Sequence, residues 1–316
     1  MAIVDVVVVA YQSRRTIGAC VRAARDIPGV GHVLVVDHGD DGAAAVAARE
    51  GAIAIRKPAN PGFATGQNLG IRKTEAPFVV LLNPDAIIEV NSVAAGLQYL
   101  EDHPAVAAVQ GVVRRPDTGA VERSAGAAIG PRHLVGRLLR LRRALASTPV
   151  RAVVARIPSL ADHVNRWPRD ALEVEWLAAT ALVVRRSALE AVGGFDERYF
   201  LYGEDADLCR RLRAQGWRLV ALPQTWATHQ GAASSGSAFD ADLRYWAGTL
   251  QYASQWWSRS EWAMGLAAAV LRTVGIALRR PTRLKDGISR LLVEPVRHRR
   301  RTRSNRALSQ PREKRA

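Results

Sequence analysis

Two short acidic clusters hold most of the chemistry this chain can offer. Asn83-Pro84-Asp85 follows the apolar run Phe78-Val79-Val80-Leu81-Leu82, and Gly203-Glu204-Asp205-Ala206-Asp207 opens a helical stretch after Tyr199-Phe200-Leu201-Tyr202. A carboxylate at the end of a buried strand is where an open α/β sheet puts its ligand chemistry. A hard divalent ion such as Mg²⁺ or Mn²⁺ takes one or two carboxylates and completes its shell with substrate phosphates and water, which makes Asp85 the metal candidate. Asn83 can orient that site but adds no charge. Glu204, Asp205 and Asp207 suit the positive end of a helix dipole. Three carboxylates in four residues repel one another if buried, so at least one is expected to face a cation or an acceptor hydroxyl. A metal ligand and a general base on opposite sides of one cleft suit transfer from a diphosphate-bearing donor.

Three further places can serve such a cleft. Asp37 closes the run Val33–Val36, where its carboxylate can either accept the imide N–H of uracil or thymine or hydrogen-bond its own turn. The string Asn60-Pro61-Gly62-Phe63-Ala64-Thr65-Gly66-Gln67-Asn68-Leu69-Gly70 is a Gly-rich loop running into a helix. Such a loop allows close backbone approach and aims N–H groups at phosphate. His229, after another apolar segment, is either a second metal ligand or a structural histidine.

The elements that must position these residues alternate along the first part of the chain. Strands are expected at Ile3–Val9, Val33–Val36, Ile53–Ile55, Phe78–Leu82 and Val106–Gln110. Helices are expected at Thr16–Asp26, Ala43–Glu50, Ala64–Lys73 and Ser92–Leu100. Continuous apolar strands alternating with helices indicate an α/β fold with a mostly parallel sheet covered on both faces. The order is Rossmann-like, but no G-x-G-x-x-G follows the first strand, which disfavours a dinucleotide site. Pro116-Asp117-Thr118-Gly119 reads as a hairpin turn. His133 to Leu145 is amphipathic, with Leu134, Leu138, Leu141 and Leu145 on one stripe, and reads either as a packed helix or as a flap on an anionic membrane. Later come a strand within Glu173–Val184, a helix at Glu204–Gln215 and a strand at Arg218–Leu222. Ala241–Ser258 and Glu261–Leu278 read as tryptophan-bearing helices.

Net charge is +16 over 316 residues. From Arg279 onward fourteen Lys/Arg face three Asp/Glu, a net of +11, so the body is only mildly basic. A block of this kind meets nucleic acid or anionic lipid. It contains no aromatic residue for base stacking, which weakens a nucleic-acid role. Cys20 and Cys209 have no C-x-x-C spacing, so neither a zinc site nor a disulfide framework is expected. The apolar N-terminus reads as a buried strand rather than a signal peptide. The late apolar stretch Ala263–Leu278, with Arg272 in its middle, reads as too short to span a bilayer.

In their order these motifs resemble family 2 of the inverting glycosyltransferases, which have a GT-A fold. The resemblance also rests on Trp176-Leu177-Ala178-Ala179-Thr180-Ala181-Leu182-Val183-Val184, on Gly193-Gly194-Phe195-Asp196-Glu197-Arg198-Tyr199-Phe200, and on His229. It covers about Ile3 to Ser235. Within the family the chain is most similar to actinobacterial rhamnosyltransferases acting on polyprenyl-diphosphate N-acetylglucosamine. The resemblance implies Tyr11, Asp37, Asn60, Gly62, Asn68, Asn83 and Asp85 at the donor, with Asp37 on its base. It implies Asp85 and His229 at a Mg²⁺ or Mn²⁺ ion, Asp205 as general base, and Glu204 and Trp176 at the acceptor. His38 departs from a common asparagine, and Asn83 from a common aspartate, so Asp85 is expected to bind metal weakly before the diphosphate arrives. The expected partners are a nucleotide-sugar donor, TDP-rhamnose or alternatively a UDP-hexose, a lipid-linked sugar acceptor and an anionic membrane surface. The expected layout is a catalytic domain over 1–235, a helical membrane-associating region over 236–280 and a basic tail over 281–316. The expected location is cytoplasmic, peripheral on the inner face of the membrane.

Overall fold

Seven consecutive buried residues, four of them Val6-Val7-Val8-Val9, make β1 (Val4–Ala10) the centre of the molecule's sheet. In the computed structural model, which describes residues 3–131, 133–134, 167, 169–231, 238–279 and 281–293, β1 pairs in parallel with β2 (Val30–Asp37) and β4 (Phe78–Leu82). β2 in turn pairs in parallel with β3 (Ile53–Arg56). Helices α1 (Ile17–Arg25), α2 (Ala43–Arg49) and α3 (Phe63–Ile71) make the crossovers. After β4 come the short β5 (Ala86–Ile88), α4 (Val90–Asp102), β6 (Val106–Arg114) and β7 (Ala125–Gly126). Then follow β8 (Leu172–Glu173), β9 (Trp176–Leu177), β10 (Ala181–Arg185), α5 (Arg186–Ala191), α6 (Glu204–Ala214) and β11 (Arg218–His229).

The sheet runs β3-β2-β1-β4-β10-β6-β11-β5, with β8 beside β11. β10 is antiparallel to both its neighbours, while β11 is parallel to β6. Alternation along the strands splits the core in two, because successive side chains point to opposite faces. Val6, Val8, Val80 and Leu82 belong to one apolar cluster, and Val7, Val79 and Leu81 to the other. Both faces are therefore covered, as the continuous apolar strands require.

Two of the differences from the sequence reading bear on the site. The three-residue β5 is too short to register as a pattern. β11 runs seven residues beyond the expected Leu222, because Pro223 does not end it. The strand shifts register against β6 between Ala221 and Thr225, and again between Thr225 and Ala227. It then pairs with β5, setting His229 opposite Ala86. A proline has no N–H for the ladder and is accommodated by such an irregularity.

The chain divides into two units, Met1–Ala128 with Asn165–Gly236, and Ile129–Val164 with Ser237–Ala316. Most of the amphipathic segment expected at His133–Leu145, and the tail beyond 293, lie outside the described residues. The second unit contains α7 (Ala238–Trp256), α8 (Arg259–Arg279) and α9 (Leu284–Ile288). Of its tryptophans, Trp246 and Trp257 are core residues and not surface anchors. Among the described residues α8 alone is long and apolar enough to cross a membrane by length and composition. The sequence expectation that this stretch is too short was set by starting it at Ala263; the helix begins at Arg259.

Candidate active site

Register brings the site residues to one edge of the sheet. Ala10 pairs with Asp37, and Val8 with Leu82, so Tyr11, His38 and Asn83 all emerge at the carboxyl ends of parallel strands. This is where an open α/β sheet binds its ligand. β10 continues the edge: Ala181 pairs with Leu82, and the Asn83 N–H donates to the Thr180 carbonyl at 2.9 Å.

Asp85 and His229 meet there. His229 Nε2 lies 3.1 Å from Asp85 Oδ1, and its Nδ1 lies 2.8 Å from Glu122 Oε2. The Asn83 amide nitrogen stands 3.3 Å from the same Nε2. Burial alone would lower the pKa of the imidazole, but hydrogen bonds and charge from Asp85 and Glu122 reverse this and raise it to about 9. The ring is thus an imidazolium bridging two carboxylates. A divalent ion fits this donor set, since Asp85 offers oxygen and His229 offers Nε2 once its proton leaves. Glu122 would then hold the other N–H, the usual partner of a metal-ligating histidine. No group of three His, Cys, Asp or Glu suited to a metal occurs among the described residues.

Glu122 escaped the sequence reading. The Pro116–Gly119 turn does form a hairpin, in which the Arg115 N–H donates to the Ala120 carbonyl at 2.9 Å. Arg114 bridges Val121, which leaves Glu122 beside the end of β11. The turn was legible; the continuation of β11 to His229 was not.

The second acidic cluster opens α6. The Ala206 N–H donates to Asp205 Oδ1 at 2.7 Å. Burial raises the Asp205 pKa to about 6 against the lowering effects of that N–H, of the Trp176 indole nearby and of the Ala179 N–H. The indole nitrogen of Trp176 does not close a hydrogen bond of good geometry. Burial, then the Asp205 charge, pushes Glu204 higher, to about 8. Glu204 Oε2 is buried without a hydrogen-bond partner. Two adjacent carboxylates with separated pKa values suit one ionised base beside one neutral acid. Asp207 is structural: it pairs with Arg211 Nε at 2.7 Å, and Arg211 also donates to the carbonyls of Val192 and Gly194. The two clusters share a short piece of backbone, for Ala179 faces Asp205 while Thr180 holds Asn83.

Several residues expected at the donor are also bonded to the scaffold. Asp37 is 1% exposed, and its oxygens accept the N–H groups of Gly39 at 2.8 Å and Ala44 at 2.9 Å. These bonds fix the turn into α2. Asn68 binds the Phe195 N–H through Oδ1, while its Nδ2 donates to the Phe195 carbonyl and to Glu197. Its whole amide is engaged in tying α3 to the turn before α6. Asn60 Oδ1 accepts the Gly62 N–H at 3.0 Å, an Asx turn. Gly62 has φ of 103°, and a Cβ there would lie 2.6 Å from the Phe200 carbonyl oxygen. The first helical N–H, of Phe63, donates to that carbonyl at 2.7 Å. The loop read as a phosphate cradle is therefore clamped to the segment leading into Glu204. Tyr11 is 39% exposed at the edge of the site, and Trp176 is half-buried under the Arg123 guanidinium, 5.6 Å from its ring centre. Cys20 and Cys209 are buried free thiols whose pKa burial raises.

Comparison with known proteins decides what this edge belongs to. The model of the glycosyltransferase like family 2 matches residues 2–249. The chain belongs to glycosyltransferase family 2. A relative from Mycobacterium tuberculosis, N-acetylglucosaminyl-diphospho-decaprenol L-rhamnosyltransferase, is 34% identical over 164 residues, 50% of this chain and 48% of that protein. Rhamnosyltransferase WbbL of Escherichia coli is 40% identical over 72 residues, 23% of this chain and 27% of that one. The matched stretch thus spans about half the length of the first of these relatives. The mannosyltransferase PcManGT of Pyrobaculum calidifontis, solved with GDP-Man and Mn²⁺, superposes with a TM-score of 0.53 at 18% identity, over 96% of this chain and 84% of that one. That likeness establishes the fold, which for this family 2 chain is GT-A.

Proposed function

We propose that this chain is an inverting glycosyltransferase that moves L-rhamnose from TDP-rhamnose onto a polyprenyl-diphosphate N-acetylglucosamine acceptor. The observation that supports the reading is the Asp85–His229 pair at the carboxyl edge of the sheet, beside Asn83, which bonds the Thr180 carbonyl. The names of the mycobacterial and Escherichia coli relatives supply the sugar and the acceptor.

Asp205, ionised above about pH 6, accepts the proton of the acceptor hydroxyl as that oxygen bonds to the donor's anomeric carbon. The bond from that carbon to the diphosphate breaks in the same displacement, with inversion and without a covalent enzyme intermediate. Glu204, neutral below about pH 8, offers a hydrogen bond in the acceptor pocket rather than a competing negative charge. Trp176 lines the sugar subsite, and Tyr11 borders the donor. Asp85 and His229 would hold a Mg²⁺ or Mn²⁺ ion, which would supply positive charge beside the diphosphate of the donor. Glu122 keeps Nε2 of His229 turned toward Asp85. The lipid of the acceptor brings the protein to the anionic inner face of the membrane, where the +11 segment is attracted. The reading is tested by offering the acceptor with TDP-rhamnose, UDP-glucose or UDP-galactose and weighing the lipid product. Hexose gain from a UDP donor keeps the family and discards rhamnose.

A further inference from the structure

From position 263 to 278, every exposed residue of α8 is apolar. Met264, Ala267, Val270, Leu271, Val274 and Leu278 fall in a sector of about 120° at 3.6 residues per turn. Leu271 is 58% exposed and Leu278 80%. Five of the ten large apolar side chains exposed among the described residues lie on this one stripe, so the patch is concentrated and not scattered.

The two polar side chains of this stretch point the other way. Arg272 Nη2 donates to Asp242 of α7 at 2.6 Å, and Thr273, 7% exposed, bonds the Ala269 carbonyl at 2.9 Å. Ala268, Ala269 and Ile276 are buried on that same inner side. Gly265 allows the Trp257 ring to pack against the helix, since a Cβ there would lie 2.7 Å from it. A soluble surface helix turns its apolar stripe inward and its charges outward. α8 is apolar on its outer side as well as its inner one, which calls for an apolar medium on the outer side.

We propose that this face seats in the boundary between headgroups and acyl chains of an anionic bilayer, with α8 lying in the membrane plane. Charge selects the occupant: Arg259 and Arg279 bracket the stripe, and the chain from Arg279 onward carries the net +11. An interfacial helix combines an apolar face with flanking cations in this way. A spanning orientation would carry the Asp242–Arg272 pair and the polar residues of α7 into hydrocarbon, at high cost. A two-fold dimer through the stripe would bring two copies of the cationic segment together. The inference deepens the lipid-linked acceptor reading and rests on it for its purpose, but its test needs neither donor nor acceptor.

The full-length protein is sedimented with vesicles of phosphatidylcholine alone and of phosphatidylcholine with phosphatidylglycerol, in low and high salt. The wild type is expected to pellet with the anionic vesicles and to remain partly bound in high salt. Leu271→Glu/Leu278→Glu, which leaves every cation in place, is expected to weaken binding about tenfold or more. Unchanged circular dichroism and melting temperature confirm that the variant folds. Equal binding of variant and wild type, abolished by salt, overturns the proposal in favour of a purely electrostatic tail. A wild-type dimer in analytical ultracentrifugation that becomes monomeric in the variant, with no vesicle binding by either, overturns it in favour of a second copy. Vesicle binding without sugar transfer leaves the lipid face standing and removes only the acceptor reading.

Discussion

Glu122 stands 2.8 Å from Nδ1 of His229, while Asp85 faces the ring's other nitrogen at 3.1 Å. With both nitrogens protonated, the imidazolium holds the two carboxylates together. When Nε2 releases its proton, Glu122 retains the remaining N–H and fixes the tautomer, so the nitrogen facing Asp85 is the one with a free lone pair. Three strands converge on this arrangement: β4 leads to Asp85, β6 and its hairpin to Glu122, and β11 to His229.

Glu122→Gln keeps a hydrogen-bonding group but removes the charge that orients and polarises the ring. Mn²⁺ affinity in the presence of TDP, read from the electron paramagnetic resonance of the free ion, is expected to fall about 10- to 100-fold. Unchanged affinity would mean that Glu122 only closes the hairpin.

Asp205→Asn is expected to lower turnover by about 10²-fold or more, the scale of a positioned base. Donor binding, measured by calorimetry, should be retained, because the residue acts on the acceptor side. Near-normal turnover would remove Asp205 from the role.

The acid limb of the rate should report the same group. With its pKa raised by burial to about 6, Asp205 gains a proton as pH falls through that value, and kcat/KM should fall with it at saturating metal ion. A limb near pH 4, the range of an ordinary aspartate, would contradict the buried setting.

Glu204 gives a stability test of opposite sign. Its folded pKa, about 8, lies above the usual carboxylate value, so the folded state holds a proton that the unfolded chain has already lost. Stability from this group is therefore present at low pH and is lost as pH rises from about 4.5 toward 8. Glu204→Gln should flatten that slope and raise the melting temperature at pH 8 by a few degrees, about 2–4 °C per kcal/mol. A mutant that melts below the wild type at pH 8 would show that the carboxylate has an unseen partner.

Asn68→Ala breaks three hydrogen bonds to Phe195 and Glu197 and leaves a buried N–H and carbonyl unmatched. A loss of roughly 2–4 kcal/mol in urea unfolding is expected. A loss under 0.5 kcal/mol would indicate that the turn before α6 is held by other means.

Much of this was legible in the chain, and the exceptions have two causes. The valine run of β1 and the identical bounds of β4 follow from continuous apolar stretches that only a two-sided sheet can bury. The two acidic clusters stood out by composition. What pattern cannot carry is how a residue's hydrogen bonds are used. Asn68 has the type expected at a donor, yet its amide is engaged by a backbone carbonyl 127 residues away in sequence, while Asp37 is engaged by the N–H of Ala44, seven residues on. Glu122 is the converse case: an unremarked carboxylate that meets His229 only because β11 passes Pro223 and brings the histidine to it. The outward face of α8 was hidden for a different reason. Its apolar periodicity was visible, but whether that stripe packs inward or outward depends on the Asp242–Arg272 pair across two helices.

The most direct test of the transferase reading is mass spectrometry of a polyprenyl-diphosphate N-acetylglucosamine acceptor incubated with the full-length protein, Mg²⁺ and one donor at a time. A deoxyhexose gain from TDP-rhamnose, absent with UDP-glucose and UDP-galactose and lost in Asp205→Asn, is the predicted result. A hexose gain, or no product from any donor under conditions where the protein is folded and binds metal, would contradict it.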